Sequence, residues 1–240
     1  MMVHESWRQT VANAYNALSA DYRVFLETND GYFPNYSNFL NAFVTLPKNR
    51  TKAILFGQDP YPREASATGY AFIDGMVKTI FSSKGLSKEV NRATSLRNFI
   101  KMLLLCSGKL ASSSLTQDEI AKLDKSKFIT SITELKDNFE SNGILLLNTS
   151  LIFTNKNDAS SHVKAFTPFM KTLLSQLSND KLELILFGNI AKEIKKLLPK
   201  KHNFTLIQTC HPYNIEFITD KMVLDYFAPM HLLRSKEASF

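Results

Sequence analysis

Four short apolar runs punctuate the chain, at 53–56 (AILF), 144–147 (ILLL), 183–187 (ELILF) and 204–207 (FTLI). Each is too short for a helix. An unbroken apolar run of this length predicts a strand covered on both faces, as in a parallel sheet. Between the runs, apolar residues recur at three- and four-residue steps. Trp7, Val11, Tyr15, Leu18, Tyr22 and Phe25 predict a helix over 7–26. Similar patterns predict helices over 95–105, 117–123, 132–140, 167–177 and 190–198. The alternation makes the chain α/β, with a short four-stranded, mainly parallel sheet flanked by helices. No internal repeat or long linker divides 1–240, so a single domain is expected. The segment 107–114 (SGKLASSS) reads as an exposed loop, and 74–94 as a surface insertion.

Composition narrows the class. The chain has 240 residues, 44% of them hydrophobic and 21% charged, which suits a globular protein with a substantial core. Lys plus Arg number 29 against 22 for Asp plus Glu, a formal charge of +7 with a pI near 9.3. Such an excess fits a polyanionic partner, either nucleic acid or an anionic membrane surface. Cys106 and Cys210 form no CxxC pair, which excludes zinc ribbons and four-cysteine iron–sulfur clusters. The opening MMVHESWRQT has no apolar leader core, and no apolar run approaches a membrane span. A soluble protein of a reducing intracellular compartment is expected.

The chemistry gathers where the apolar runs end. The first is followed by Gly57, Gln58 and Asp59, the second by Asn148, the third by Gly188 and Asn189, and the fourth by Thr209, Cys210, His211 and Pro212. In open α/β sheets ligands bind outside the carboxyl ends of the strands. If the strands run the same way, Gln58, Asp59, Asn148, Asn189 and His211 share one rim. The stretch 56–62 (FGQDPYP) adds Tyr61 on a backbone constrained by a glycine and two prolines. Taken singly, Asp59 could cap a turn, Asn148 could satisfy a loop, and Tyr61 or Phe72 could belong to the core. Together they are hard to explain as structure alone.

The motifs GQDPYP (57–62), GYAF (69–72), GILLLN (143–148), LILFGN (184–189) and TCHPYNI (209–215) resemble those of family 1 uracil-DNA glycosylases. That family carries, in the same order, approximately GQDPYH, GLCF, GVLLLN, LLWGS and HPSPL. The resemblance covers about residues 30–220, and it implies hydrolysis of the N-glycosidic bond between uracil and deoxyribose. The target nucleotide would be flipped out of the duplex, because the bond is out of reach within the stack.

The same resemblance implies the roles. Asp59 would position the attacking water and offset charge developing on the sugar. His211 would hydrogen-bond uracil O2 as the base departs, joined there by the Gln58 backbone N–H. Asn148 would read uracil N3 and O4, Tyr61 would stand against C5 where thymine has a methyl group, and Phe72 would stack on the base. No metal and no cofactor is implied. Pro62, Ser95, Asn189, Tyr213 and Ile215 are the expected DNA contacts. Four of them depart from the family pattern, with Pro62 for a His, Tyr213 for a Ser, Asn189 for a Ser and Ile215 for a Leu. Ile215 stands where the family has a wedging leucine, although it could equally pack into the core beside Phe217 and Ile218.

The expected partner is uracil-containing DNA, single- or double-stranded, with a proteinaceous inhibitor or replication partner as a further class. A monomer without membrane attachment is expected in the cytoplasm, nucleoid-associated if the source is bacterial. An esterase is disfavoured by the lack of GxSxG, and a nucleotide-binding protein by the lack of either glycine-rich phosphate loop. The alternative that stays open is a DNA-binding or polymerase-associated module on the same fold, with excision weak or lost.

Overall fold

The computed structural model describes residues 2–236. Along the chain the elements are α1 (Arg8–Asn16), α2 (Ala20–Thr28), β1 (Ala53–Gly57), β2 (Phe81–Ser82), β3 (Gly85–Leu86), α3 (Lys88–Arg92) and α4 (Thr94–Cys106). They continue with α5 (Gln117–Lys122), α6 (Ile132–Ser141), β4 (Ile144–Asn148), α7 (Ala159–Gln176), β5 (Glu183–Phe187), α8 (Ile190–Leu197), β6 (Thr205–Thr209) and α9 (Lys221–Phe227). The described residues cluster into two compact units, 2–74 with 143–208, and 75–142 with 209–236.

The first unit is built on the sheet, whose strand order is β4-β1-β5-β6. β1 pairs in parallel with β4 and with β5, in registers that set Gly57 opposite Asn148 and Phe56 opposite both Leu147 and Leu186. Every residue of β1 and β4 is buried, as a strand covered on both faces requires. An apolar cluster joins Ile54, Phe56, Leu145, Leu147, Leu184 and Leu186 of the sheet to Trp7 and Val11 near the N-terminus and to Phe166, Phe169 and Leu173 of α7. Three elements differ from expectation. The fourth strand, expected over 204–207 and covered on both faces, is β6 at Thr205–Thr209; it lies at an edge of the sheet and has no fully buried residue. The helix expected over 7–26 is broken at 17–19, because the Ser19 hydroxyl accepts from Tyr22 N–H and starts α2 afresh. The helix expected over 167–177 begins at Ala159 and carries Pro168 inside it.

The second unit packs around α4, which buries Leu96, Phe99, Ile100, Leu103 and Leu104 along one helical face. Phe99 meets Phe139 of α6, Phe227 of α9 and Phe217, with centroids 5.3–5.9 Å away. The segment expected as a surface insertion, 74–94, is more than that. It holds the β2–β3 hairpin and α3, and it buries Val77, Ile80, Leu86 and Val90. Ser87 and Ser131 cap α3 and α6, the latter through a reciprocal box with Glu134.

Candidate active site

The loop after β1 is laced to the turn after β4. Gly57 C=O accepts from Thr149 N–H, and Gln58 C=O accepts from both Ser150 N–H and the Thr149 hydroxyl, each at 2.9 Å. The backbone entering Asp59 is therefore fixed by its neighbour strand. Asp59 is half-buried, and its Oδ1 is shielded from solvent with no hydrogen-bond partner among the described residues. Burial raises its pKa, against a smaller lowering by a hydrogen bond from the Gln58 side chain. Tyr61 is half-buried as well. Burial, then the charge of Asp74, holds its phenol well above the usual range, so it stays protonated.

Asn148 ends β4 and is 4% exposed. Its amide lies so close to Gly57 that an added Cβ there would run into Asn148 Oδ1 and Ala71 Cβ. Phe72 follows Gly69 (φ +83°) and Ala71, whose N–H donates to Leu146 C=O of β4. Phe72 itself has φ +64°, in the left-handed region that few non-glycine residues enter. Its ring stands edge-on to Phe187 at the end of β5, centroids 5.5 Å apart. In this unit Gln58, Asp59, Tyr61, Phe72 and Asn148 thus sit at the carboxyl ends of β1 and β4 or in the loop that follows. Pro62 is exposed in the same loop, and Asn189 is exposed at the start of α8.

His211 belongs to the second unit and follows β6 by two residues. The Tyr213 N–H donates to its Nδ1 at 3.0 Å, so in the neutral ring the hydrogen resides on Nε2. The residue presents an exposed surface, yet partial desolvation of the ring lowers its pKa and favours the neutral form. A neutral imidazole with Nε2–H is a hydrogen-bond donor at neutral pH. Tyr213 is 71% exposed and Ile215 65%, whereas Phe217 and Ile218 behind them are buried. The core alternative for Ile215 is thereby removed. Ser95 lies half-buried in the first turn of α4.

Some participants were not expected from the sequence. Phe187 props the Phe72 ring, and Thr149 and Ser150 anchor the Gln58 carbonyl. Asn98 of α4 donates to the Pro212 carbonyl. A buried amide in the middle of a helix is the signal that could have found Asn98, since Asn is a poor helix former there.

Among the described residues, none of the helices is long and apolar enough to cross a membrane, and no cluster of three or more His, Cys, Asp or Glu could hold a metal ion.

The family model for the Uracil DNA glycosylase superfamily matches residues 43–238. A uracil-DNA glycosylase of Borreliella burgdorferi (strain ZS7) is 23% identical over 223 residues, covering 88% of this chain and 83% of its own length. One from Amoebophilus asiaticus is 26% identical over 214 residues, covering 86% and 82%. The crystal structure of wild-type UNG from Nitratifractor salsuginis superposes with a TM-score of 0.94 at 44% identity, covering 98% of this chain and 94% of that one. A mimivirus UNG variant solved in complex with UGI shares the fold, with a TM-score of 0.55 at 15% identity over 88% of this chain and 70% of that one. The chain belongs to the uracil-DNA glycosylase superfamily.

Proposed function

We propose that this chain excises uracil from DNA by hydrolysing its N-glycosidic bond, with Asp59 and His211 as the catalytic residues. Asp59 Oδ1 carries the assignment, being shielded from solvent and without a hydrogen-bond partner among the described residues, on a backbone held by the turn after β4. An unpaired buried carboxylate oxygen is suited to accept a hydrogen bond from water and to offset positive charge on a sugar. Water oxygen bonds to the sugar C1′ as the C1′–N1 bond breaks. The bonding pair leaves with uracil, and the water proton passes toward Asp59. Charge then builds on uracil O2, where Nε2–H of neutral His211 and the Gln58 N–H donate. One such donor is worth about 10²–10³-fold in rate.

Asn148 supplies the reading of uracil. Its amide oxygen accepts from N3–H while its NH₂ donates to O4, a pattern cytosine does not mirror. Tyr61 stands against C5, and Phe72 stacks on the ring. Pro62, Ser95, Asn189, Tyr213 and Ile215 contact the DNA, and the exposed Tyr213 and Ile215 suit that task. Both single- and double-stranded DNA are substrates in this reading. The mimivirus UNG complex with UGI supports a proteinaceous partner for this chain as well.

Incubation with a uracil-containing oligonucleotide, then alkaline cleavage at abasic sites, tests the activity directly. Uracil-dependent strand breaks are expected, abolished for the most part in the Asp59→Asn, His211→Ala double variant. Unbroken strands with the wild-type chain, or breaks undiminished in the double variant, would refute the assignment.

A further inference from the structure

Asn98 is 1% exposed on a helix pinned by Phe99 against Phe139, Phe217 and Phe227. Its Nδ2 donates to the Pro212 carbonyl at 2.8 Å and reaches the Tyr213 carbonyl at 3.5 Å. Its Oδ1 is buried with no hydrogen-bond partner among the described residues. The Nδ2 half of this amide is thus the half that the protein engages, and it is spent on the loop that follows His211.

The effect is visible in the peptide it grips. The Pro212 carbonyl and the Tyr213 N–H are opposite edges of one planar peptide unit. That same N–H donates to His211 Nδ1. Whatever fixes the carbonyl edge therefore aims the N–H edge. The loop also closes on itself, through Asn214 N–H to His211 C=O at 2.8 Å. Asn98 ties it to a packed helix.

We propose that Asn98 is a positioning residue for uracil excision. By holding the Pro212 carbonyl, it directs the Tyr213 N–H at His211 Nδ1 and so keeps the imidazole oriented with its hydrogen on Nε2. This rests on the reading that His211 donates to the departing base.

A double-mutant cycle tests it. Asn98→Ala, His211→Ala and the double variant are assayed for kcat and KM on a uracil-containing oligonucleotide, with melting temperatures alongside. Asn98→Ala should lower kcat roughly 10- to 100-fold with KM little changed, the loss that follows from misplacing a reacting group by about an ångström. In the His211→Ala background the same substitution should add less than about twofold, because the two act as a unit. An equal loss in both backgrounds overturns the proposal while leaving the role of His211 intact. Wild-type activity in His211→Ala alone overturns that role, and the proposal with it.

If Asn98→Ala does not fold, Asn98→Ser keeps a short donor in place of the amide and replaces it in the cycle. Nitrogen NMR of the His211 imidazole gives a readout that a merely structural role would not move. The folded wild-type chain should show the Nε2–H tautomer, and the folded Asn98 variant a mixture of both. A wild-type tautomer pattern in a variant that has lost kcat counts against the proposal.

Discussion

Gly57 and Asn148 face each other across β1 and β4, and the Cβ that any other residue would bring to position 57 falls on the Asn148 amide oxygen. The glycine is the room in which that amide lies. Its role is steric, since the missing side chain is what lets a buried polar group sit at the strand end.

Gly57→Ala should therefore act on substrate recognition through Asn148. Overpacking of this kind costs about 1–3 kcal/mol of stability. The larger effect should be on kcat/KM for uracil, with a loss at least as great as in Asn148→Ala. A Gly57→Ala enzyme with wild-type kcat/KM would show that the amide has space to spare.

Asp59 gives a pH signature with two opposite signs. Burial raises its pKa, and in the proposed mechanism the ionised form reacts, so excision should fall with decreasing pH from above the ordinary carboxylate range. For stability, the raised folded-state pKa means that the group favours folding below its unfolded pKa and loses that contribution as pH rises through the folded value. Asp59→Asn should keep or raise the melting temperature at neutral pH while cutting excision about 10²–10⁴-fold. A lowered melting temperature at pH 7 would mean that the ionised carboxylate has stabilising partners after all.

Tyr61 should exclude thymine by bulk. Its phenol is held protonated, so the contact offered to C5 is a neutral ring. Tyr61→Ala should release thymine from ordinary oligonucleotides at a measurable rate, whereas Tyr61→Phe should keep the exclusion. Strict rejection of thymine by the alanine variant would place the methyl group elsewhere.

Ile215, 65% exposed, should act on duplex DNA and not on the fold. Unstacking a base costs a few kcal/mol, and an apolar side chain entering the gap slows its return. Ile215→Ala should slow excision from duplex far more than from single strands, with stability changed by less than about 0.5 kcal/mol. Equal slowing on both substrates would remove the wedge.

Most of the sheet and much of the candidate site could be read along the chain, and the reason is local. β1 and β4 are buried at every position, so their apolar runs are unbroken, and Asp59 and Asn148 stand at or just beyond their ends. The errors also have physical causes. The apolar stripe over 7–26 continues through a break that only the capping hydroxyl of Ser19 announces. In 74–94 the buried Val77, Ile80, Leu86 and Val90 are spaced too irregularly to show either period, and the polar hairpin turn between them dominates the reading. Asn98 escaped because its partner lies 114 positions away. Phe72 was found as a residue but not as a conformation, since nothing in its side chain announces a positive φ.

That conformation restricts how position 72 can change. One base change takes a phenylalanine codon to Leu, Ile, Val, Ser, Tyr or Cys. At φ +64° the residues branched at Cβ are the worst tolerated, which closes the routes to Ile and Val. Ser and Cys bring no face on which a base could lie, and Leu brings no ring. Tyr alone preserves an aromatic platform, at the cost of a hydroxyl that needs a partner or solvent. From Phe, a lineage that keeps this backbone can therefore step by one base only to Tyr without losing the platform, unless it rebuilds the loop from Gly69 onward.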